Sequence, residues 1–121
     1  MSYDIKLVDP ITEETIEFDS PHHMKGGTYQ VGGTTRAWLN ITYNYSKYYY
    51  AALPETKEKG IRTIYGMTGA ESIPLLKRMA ETLSDETDPD YWKATEGNAK
   101  RPLLQLIAMA QMYPAGIWKG D

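Results

Sequence analysis

Apolar and polar positions alternate over residues 4–8 (Asp-Ile-Lys-Leu-Val), so Ile5 and Lys6 face opposite ways. Asp9-Pro10 opens a turn, because both residue types pre-set turn geometry. Residues 14–18 (Glu-Thr-Ile-Glu-Phe) alternate again, with Ile16 and Phe18 on one side. Two short alternating runs around a polar turn predict a β-hairpin. Residues 19–33 carry Asp19, Pro21, His22, His23 and four glycines. That composition predicts a loop, with residues 28–31 as a third short strand.

The period then changes. Trp38, Ile41, Thr42, Tyr45, Tyr48, Tyr49 and Ala52 recur at helical spacing, with Leu39, Tyr43 and Tyr50 as a second stripe. This predicts a helix over 35–53, capped by Thr34 or Thr35 and stopped by Pro54. The charged run 55–60 reads as a loop. A second helix is expected over 72–83, with Ile73, Leu76, Met79, Ala80 and Leu83 inward. Either Thr68 or Ser72 serves as its cap, Thr68 with Glu71 fitting a capping box. Ser84 to Asp90 is an acidic linker. Asp88-Pro89 predicts a short helix through Tyr91 and Trp92. A last helix over 98–112 is apolar nearly all round and so expected to be central, with Pro102 delaying or kinking its start. Ile117 and Trp118 fold back onto the body. Strands followed by helices predict one α+β domain over 1–121: a small N-terminal antiparallel β-hairpin or three-stranded sheet packed on a bundle of three main helices.

Composition narrows the function classes. The net charge of −3 argues against general nucleic-acid binding, which calls for a basic face. There is no cysteine in 121 residues, which points to a reducing compartment. Residues 1–6 lack the basic and apolar regions of a signal peptide, and no window offers eighteen apolar residues. The expectation is a cytoplasmic protein with no membrane partner. Ten tyrosines and three tryptophans stand against one phenylalanine. These amphipathic rings are enriched where proteins meet partners, which favours a binding role.

The candidate ligand-binding residues lie in segment 22–36, with one addition. Gly26-Gly27 and Gly32-Gly33 let a backbone approach a ligand closely. The segment leads into the expected helix N-terminus, where free N–H groups attract an anion. Thr34 and Thr35 add hydroxyls, Lys25 and Arg36 add charge, and His22 and His23 can add more. Tyr43, on the expected helix, supplies a ring for stacking. A phosphate or nucleotide fits this set. The competing explanation is two tight turns around a strand and an ordinary cap. No P-loop is present, because no Gly-Lys-Ser/Thr follows. Segment 66–72 offers a second candidate anion site, but a plain cap already explains every residue there. His22 and His23 with Asp19 form no metal framework, because adjacent histidines diverge. No cofactor or metal is expected. No catalytic residue is assigned, since no nucleophile–base pair emerges.

The runs His22-His23-Met24-Lys25-Gly26-Gly27-Thr28-Tyr29 and Gly32-Gly33-Thr34, then Trp38-Leu39-Asn40-Ile41-Thr42-Tyr43-Asn44-Tyr45, resemble small uncharacterised proteins of phages, prophages and bacteria. So do Ile64-Tyr65-Gly66 with Thr68-Gly69, and Tyr91-Trp92 before Ala94-Thr95-Glu96-Gly97-Asn98-Ala99. The resemblance implies a small accessory protein and transfers no functional residue.

Three functions follow as expectations. The first is a non-enzymatic protein that holds a phosphorylated small molecule or nucleotide signal, sequestering it from a host. The second is a protein-interaction module, an inhibitor or adaptor, that offers exposed tyrosines and Trp118 to a protein partner. The third is a small enzyme using His22 or His23 with Asp19 or Glu71. A homodimer is expected from the frequency of twofold assembly.

Overall fold

A computed structural model of the chain describes residues 2–22, 34–57, 59–90 and 92–121, with backbone alone for 20–22. In chain order the elements are β1 (Ser2–Val8), β2 (Glu17–His22), β3 (Thr34–Arg36), β4 (Trp38–Thr42), α1 (Ser46–Ala52), α2 (Gly69–Glu81), α3 (Glu96–Met112) and β5 (Ile117–Gly120). The architecture is α+β: a three-stranded antiparallel sheet, order β4-β1-β5, beside a two-stranded ribbon of β2 and β3, with three α-helices. None of the helices is long and apolar enough to cross a membrane, among the described residues.

β1 behaves as its alternation requires. Tyr3, Ile5 and Leu7 are buried, while Asp4 and Lys6 point to solvent. Its expected hairpin partner is different. The chain does reverse at Asp9, whose carboxylate accepts the N–H groups of Ile11 and Thr12 at 2.8 and 2.9 Å. Val8 then bridges Thr15, and the Ile16 N–H reaches the Leu7 carbonyl at 3.0 Å. Beyond that point residues 17–22 leave β1 and pair with β3. The reason is that β1 has only two edges, and β4 and β5 occupy both.

The expected helix over 35–53 is likewise corrected. Residues 34–42 are extended, with a bend at Ala37, and α1 begins only at Ser46. The same residues carry a period of two. Ala37, Leu39 and Ile41 are all fully buried, while Trp38 and Asn40 lie on the other face. Pairing along β1 decides between the two periodicities, and that pairing is a long-range event invisible to local propensity. Ala37 marks the changeover from one sheet to the other. Its carbonyl accepts from Leu7 N–H at 2.9 Å and its N–H donates to Ile16 at 2.8 Å. Thr34 and Thr35 therefore cap nothing. Thr42 caps instead, its hydroxyl accepting the Asn44 N–H at 3.2 Å at the start of a 3-10 turn that leads into α1.

α2 resolves the choice of cap. Thr68 Oγ1 accepts the Glu71 N–H at 3.1 Å, and the Glu71 carboxylate accepts the Thr68 N–H at 3.0 Å. This is a capping box, and it moves the helix start ahead of Ser72. Pro74 accordingly lies inside α2 rather than in its first turn. α3 begins two residues before the expected position, with Thr95 as cap. Among the described residues of the short helix expected at Asp88-Pro89, none is helical. The Asp88 and Asp90 carboxylates instead accept the N–H groups of Asp90 and Trp92. The fully buried Asn98 amide then ties the carbonyls of Asp88, Asp90 and Lys93 to α3.

One core joins these layers. Tyr3, Ile5, Leu7, Leu39 and Ile41 from the sheet meet Leu76, Met79, Leu103, Leu106 and Trp118. Trp118 is completely buried, and its indole N–H donates to Ser72 Oγ at 2.7 Å. Ser72 in turn donates to the Gly69 carbonyl at 2.8 Å. The fold-back expected of Ile117 and Trp118 is thus a full strand, β5, whose Trp118 pairs in register with Leu7.

Candidate functional site

The tyrosines are drawn inward. Of Tyr43, Tyr45, Tyr48, Tyr49 and Tyr50, two are fully buried and three half-buried. Their hydroxyls serve the fold. Tyr49 donates to the Ala99 carbonyl at 2.8 Å and Tyr48 to that of Ala94 at 2.9 Å, tying α1 to the start of α3. Burial pushes the Tyr49 hydroxyl far above its ordinary pKa and that of Tyr3 up to about 12. The Tyr43 ring stands edge-on to Tyr3 at 4.7 Å, and its hydroxyl accepts from Arg62 at 3.0 Å. Arg62 lies over both rings and also donates to the Asp121 carbonyl at 3.1 Å. Tyr43 is therefore part of a lock on the end of β5.

The glycine-rich start of α2 is also taken. Gly69 N–H donates to the Gly116 carbonyl at 2.8 Å and Ala70 N–H to that of Pro114 at 2.9 Å. Glu71 N–H goes to the Thr68 hydroxyl and Ser72 N–H to the Thr68 carbonyl. All four of the first N–H groups have partners, so segment 66–72 has no free donor for an anion.

The open region lies on the outer face of the three-stranded sheet. A shallow hollow of about 560 Å³ is lined by Asp4, Lys6, Arg36, Trp38, Lys119, Gly120 and Asp121. Register explains its composition. Lys6 is directly opposite Trp38 on β4 and Lys119 on β5. Opposed side chains on one face sit about 5 Å apart at Cβ. The row reads ring, ammonium, ammonium. One step along, Asp4 stands opposite Asn40 and beside Asp121, whose carboxylate accepts the Asp4 N–H at 3.3 Å. Asn40 donates to Asp4 at 2.9 Å and to Ser2 at 2.7 Å. Arg36, at the end of β3 two residues before Trp38, extends to the Thr15 hydroxyl at 3.4 Å. Lys119 lies 3.7 Å from Glu13, at a distance weaker than a hydrogen bond. Lys6 forms no ion pair among the described residues.

Gly120 has a steric reason. A Cβ there would lie 2.2 Å from the Tyr65 ring, so only glycine lets β5 pass over it. Tyr65 is held there by packing alone, since its buried hydroxyl has no hydrogen-bond partner among the described residues. Burial raises its pKa.

Of the described residues singled out in the sequence, Arg36 alone joins this hollow. Thr34 and Thr35 serve the β2–β3 ribbon, Thr34 accepting the Arg36 N–H at 3.1 Å and Thr35 donating to Glu17 at 2.8 Å. His22 pairs in register with Thr34 at the end of the ribbon. His23, Lys25, Gly26, Gly27, Gly32 and Gly33 lie outside the described residues. Lys6, Trp38, Lys119, Asp4 and Asp121 were not singled out. The alternation of β1 does put Lys6 and Asp4 outward, but nothing local says that β4 and β5 flank them. Among the described residues no group of three or more histidine, aspartate or glutamate side chains converges as a metal site.

No protein-family model matches this chain, and no curated protein or solved structure matches it.

Proposed function

We propose that this protein is a non-enzymatic binder of a phosphorylated small molecule, a nucleotide by preference, and that the outer sheet face is its site. The observation that carries this reading is the in-register row Trp38–Lys6–Lys119 on a solvent-facing sheet. An indole flank accepts a planar base, a contact worth about 1–3 kcal/mol per base in nucleic-acid binders. Ammonium and guanidinium groups beside it give charge-assisted hydrogen bonds to phosphate oxygens. Asp4 and Asp121 line the same hollow, and their carboxylates are acceptors suited to the exocyclic amine of a base. The charge balance limits the ligand's size. Lys6, Arg36 and Lys119 face Asp4, Asp121 and Glu13, so one phosphate group is compatible and a polyanion is not. The lining residues supply charge and a ring, with no nucleophile beside a base, and binding is the chemistry they support. Sequestration of a signal molecule is one use of such a binder.

The test begins with native mass spectrometry of gently purified protein, which weighs any retained molecule. Calorimetric titration with adenosine and guanosine monophosphates follows. Nucleotide binding is expected, weakened about tenfold by Lys6→Ala and by Trp38→Ala, each a loss of about 1.4 kcal/mol. No retained mass and no heat with any of these nucleotides would defeat the proposal.

A second reading, a protein-interaction surface, has its own observation. Leu104, Met112 and Tyr113 are exposed apolar side chains at one side of the molecule. This surface replaces the tyrosine stripe as the place where such contact would occur.

A further inference from the structure

The face of α3 opposite the core is not polar. Leu104, Ala108 and Met112 recur every four residues and form one solvent-facing ridge, with Leu104 50% and Met112 60% exposed. A hollow flanks the ridge on each side. One, of about 410 Å³, lies against α2 and is lined by Lys77, Ala80, Lys100, Leu104 and Ile107. The other, of about 200 Å³, lies against β2 and is lined by Phe18, Asp19, Gln105, Met109 and Tyr113. A protruding ridge between two hollows is a shape that fits a copy of itself, since i,i+4 ridges pack into the grooves of a second helix.

Charge is arranged in the same self-complementary sense. Arg101 stands exposed at the start of the ridge and forms no ion pair among the described residues. Lys77 in the neighbouring hollow is offset by Glu81, so Arg101 is the charge left for a partner. The exposed Asp19 lies at the other end, beside Met112 and Tyr113. Turning a second copy through a twofold axis beside Ala108 runs the two α3 helices antiparallel. Leu104 of each copy then enters the hollow beside Met112 of the other, and Arg101 of each approaches the Asp19 end of the other. An isologous contact demands this reciprocity.

We infer that this face of α3 is a homodimer interface, with a second copy of the chain as its occupant. α3 is about 25 Å long and too narrow alone for the roughly 800 Å² per copy of a standard interface. The hollows on its two sides widen the contact, and the test takes a dissociation constant of about 10 µM, since area by itself does not fix affinity. The inference is independent of the ligand proposal, because no residue of the sheet face takes part.

Sedimentation velocity above and below that concentration tests it. The native chain is expected to pass from monomer to dimer. Leu104→Glu and Met112→Glu are each expected to remain monomeric throughout with unchanged circular dichroism, since both positions are exposed. Arg101→Asp and Asp19→Arg are each expected to weaken the dimer about tenfold, and the double variant to restore it. A native chain that stays monomeric about a hundredfold above the expected constant overturns the inference. So does a dimer indifferent to both glutamate variants, or a charge swap that fails to restore association.

Discussion

Two regions of this molecule carry the ingredients of an anion site, and they differ in who consumes the donors. At the start of α2, Gly66, Thr68 and Gly69 lead into a helix N-terminus. There the donors meet the chain's own carbonyls, those of Pro114, Gly116 and Thr68, and the Thr68 hydroxyl. On the outer sheet face, Lys6, Arg36 and Lys119 gather beside Trp38 in an open hollow, and Lys6 has no ion pair among the described residues. Glycine beside a helix start says that something approaches the backbone closely. Here that something is the turn before β5, and the close approach builds the fold.

Substitutions should separate the two regions. The largest effect is expected at Gly69, where a Cβ would lie 2.9 Å from the Tyr113 carbonyl and 3.2 Å from the backbone of Ala110. Gly69→Leu should cost about 3 kcal/mol or more in denaturant unfolding, because backbone cannot yield as a side chain can. On the sheet face the order reverses. Lys6→Ala should leave unfolding within about 0.5 kcal/mol of the native chain. Its nucleotide affinity should nevertheless fall about tenfold, so a large stability loss there would erase the contrast.

Thr68→Ala should cost about 1 kcal/mol through the lost cap, with no change in ligand binding. Glu71 sharpens this by its pH dependence. The backbone N–H of Thr68 holds its carboxyl below the ordinary carboxylate value. A depressed folded-state pKa contributes stability above the unfolded value, lost as the pH falls through the folded one. The gap in melting temperature between the native chain and Glu71→Gln should therefore be full near neutrality and close in acid. A gap independent of pH would deny the capping box its charge. The smallest effect is expected at Tyr65, whose hydroxyl has no partner to lose. Tyr65→Phe should unfold within about 0.5 kcal/mol of the native chain or slightly later.

Much of the fold is legible in the local pattern. The alternation of 4–8 gives β1, and the apolar stripe of 73–83 gives α2. The run Leu103–Met112 gives α3 with its buried face. The Thr68/Glu71 pair offers the capping box that the structure adopts. The errors share one physical cause. Residues 37–41 satisfy a period of two as well as a helical stripe, and only the free edge of β1 chooses between them. The same edge competition takes residues 17–22 away from β1 and into the ribbon with β3. The candidate site was missed for the same reason, apart from Arg36. Trp38, Lys6 and Lys119 are 32 and 113 residues apart along the chain from Lys6, and register alone makes them neighbours.

The sequence by itself determined the class, the polar face of β1, the helix-forming stripes and the residues able to cap them. Those are properties of a few neighbouring residues, fixed by alternation, helical spacing and side-chain hydrogen bonding. Only the tertiary structure decided which strand lies beside β1, that the tyrosines turn inward, and that the glycine-rich helix start is filled. Each of these is a competition for a strand edge, a core volume or a backbone donor. Such competitions are settled between segments distant along the chain, where packing and long-range pairing outweigh local preference.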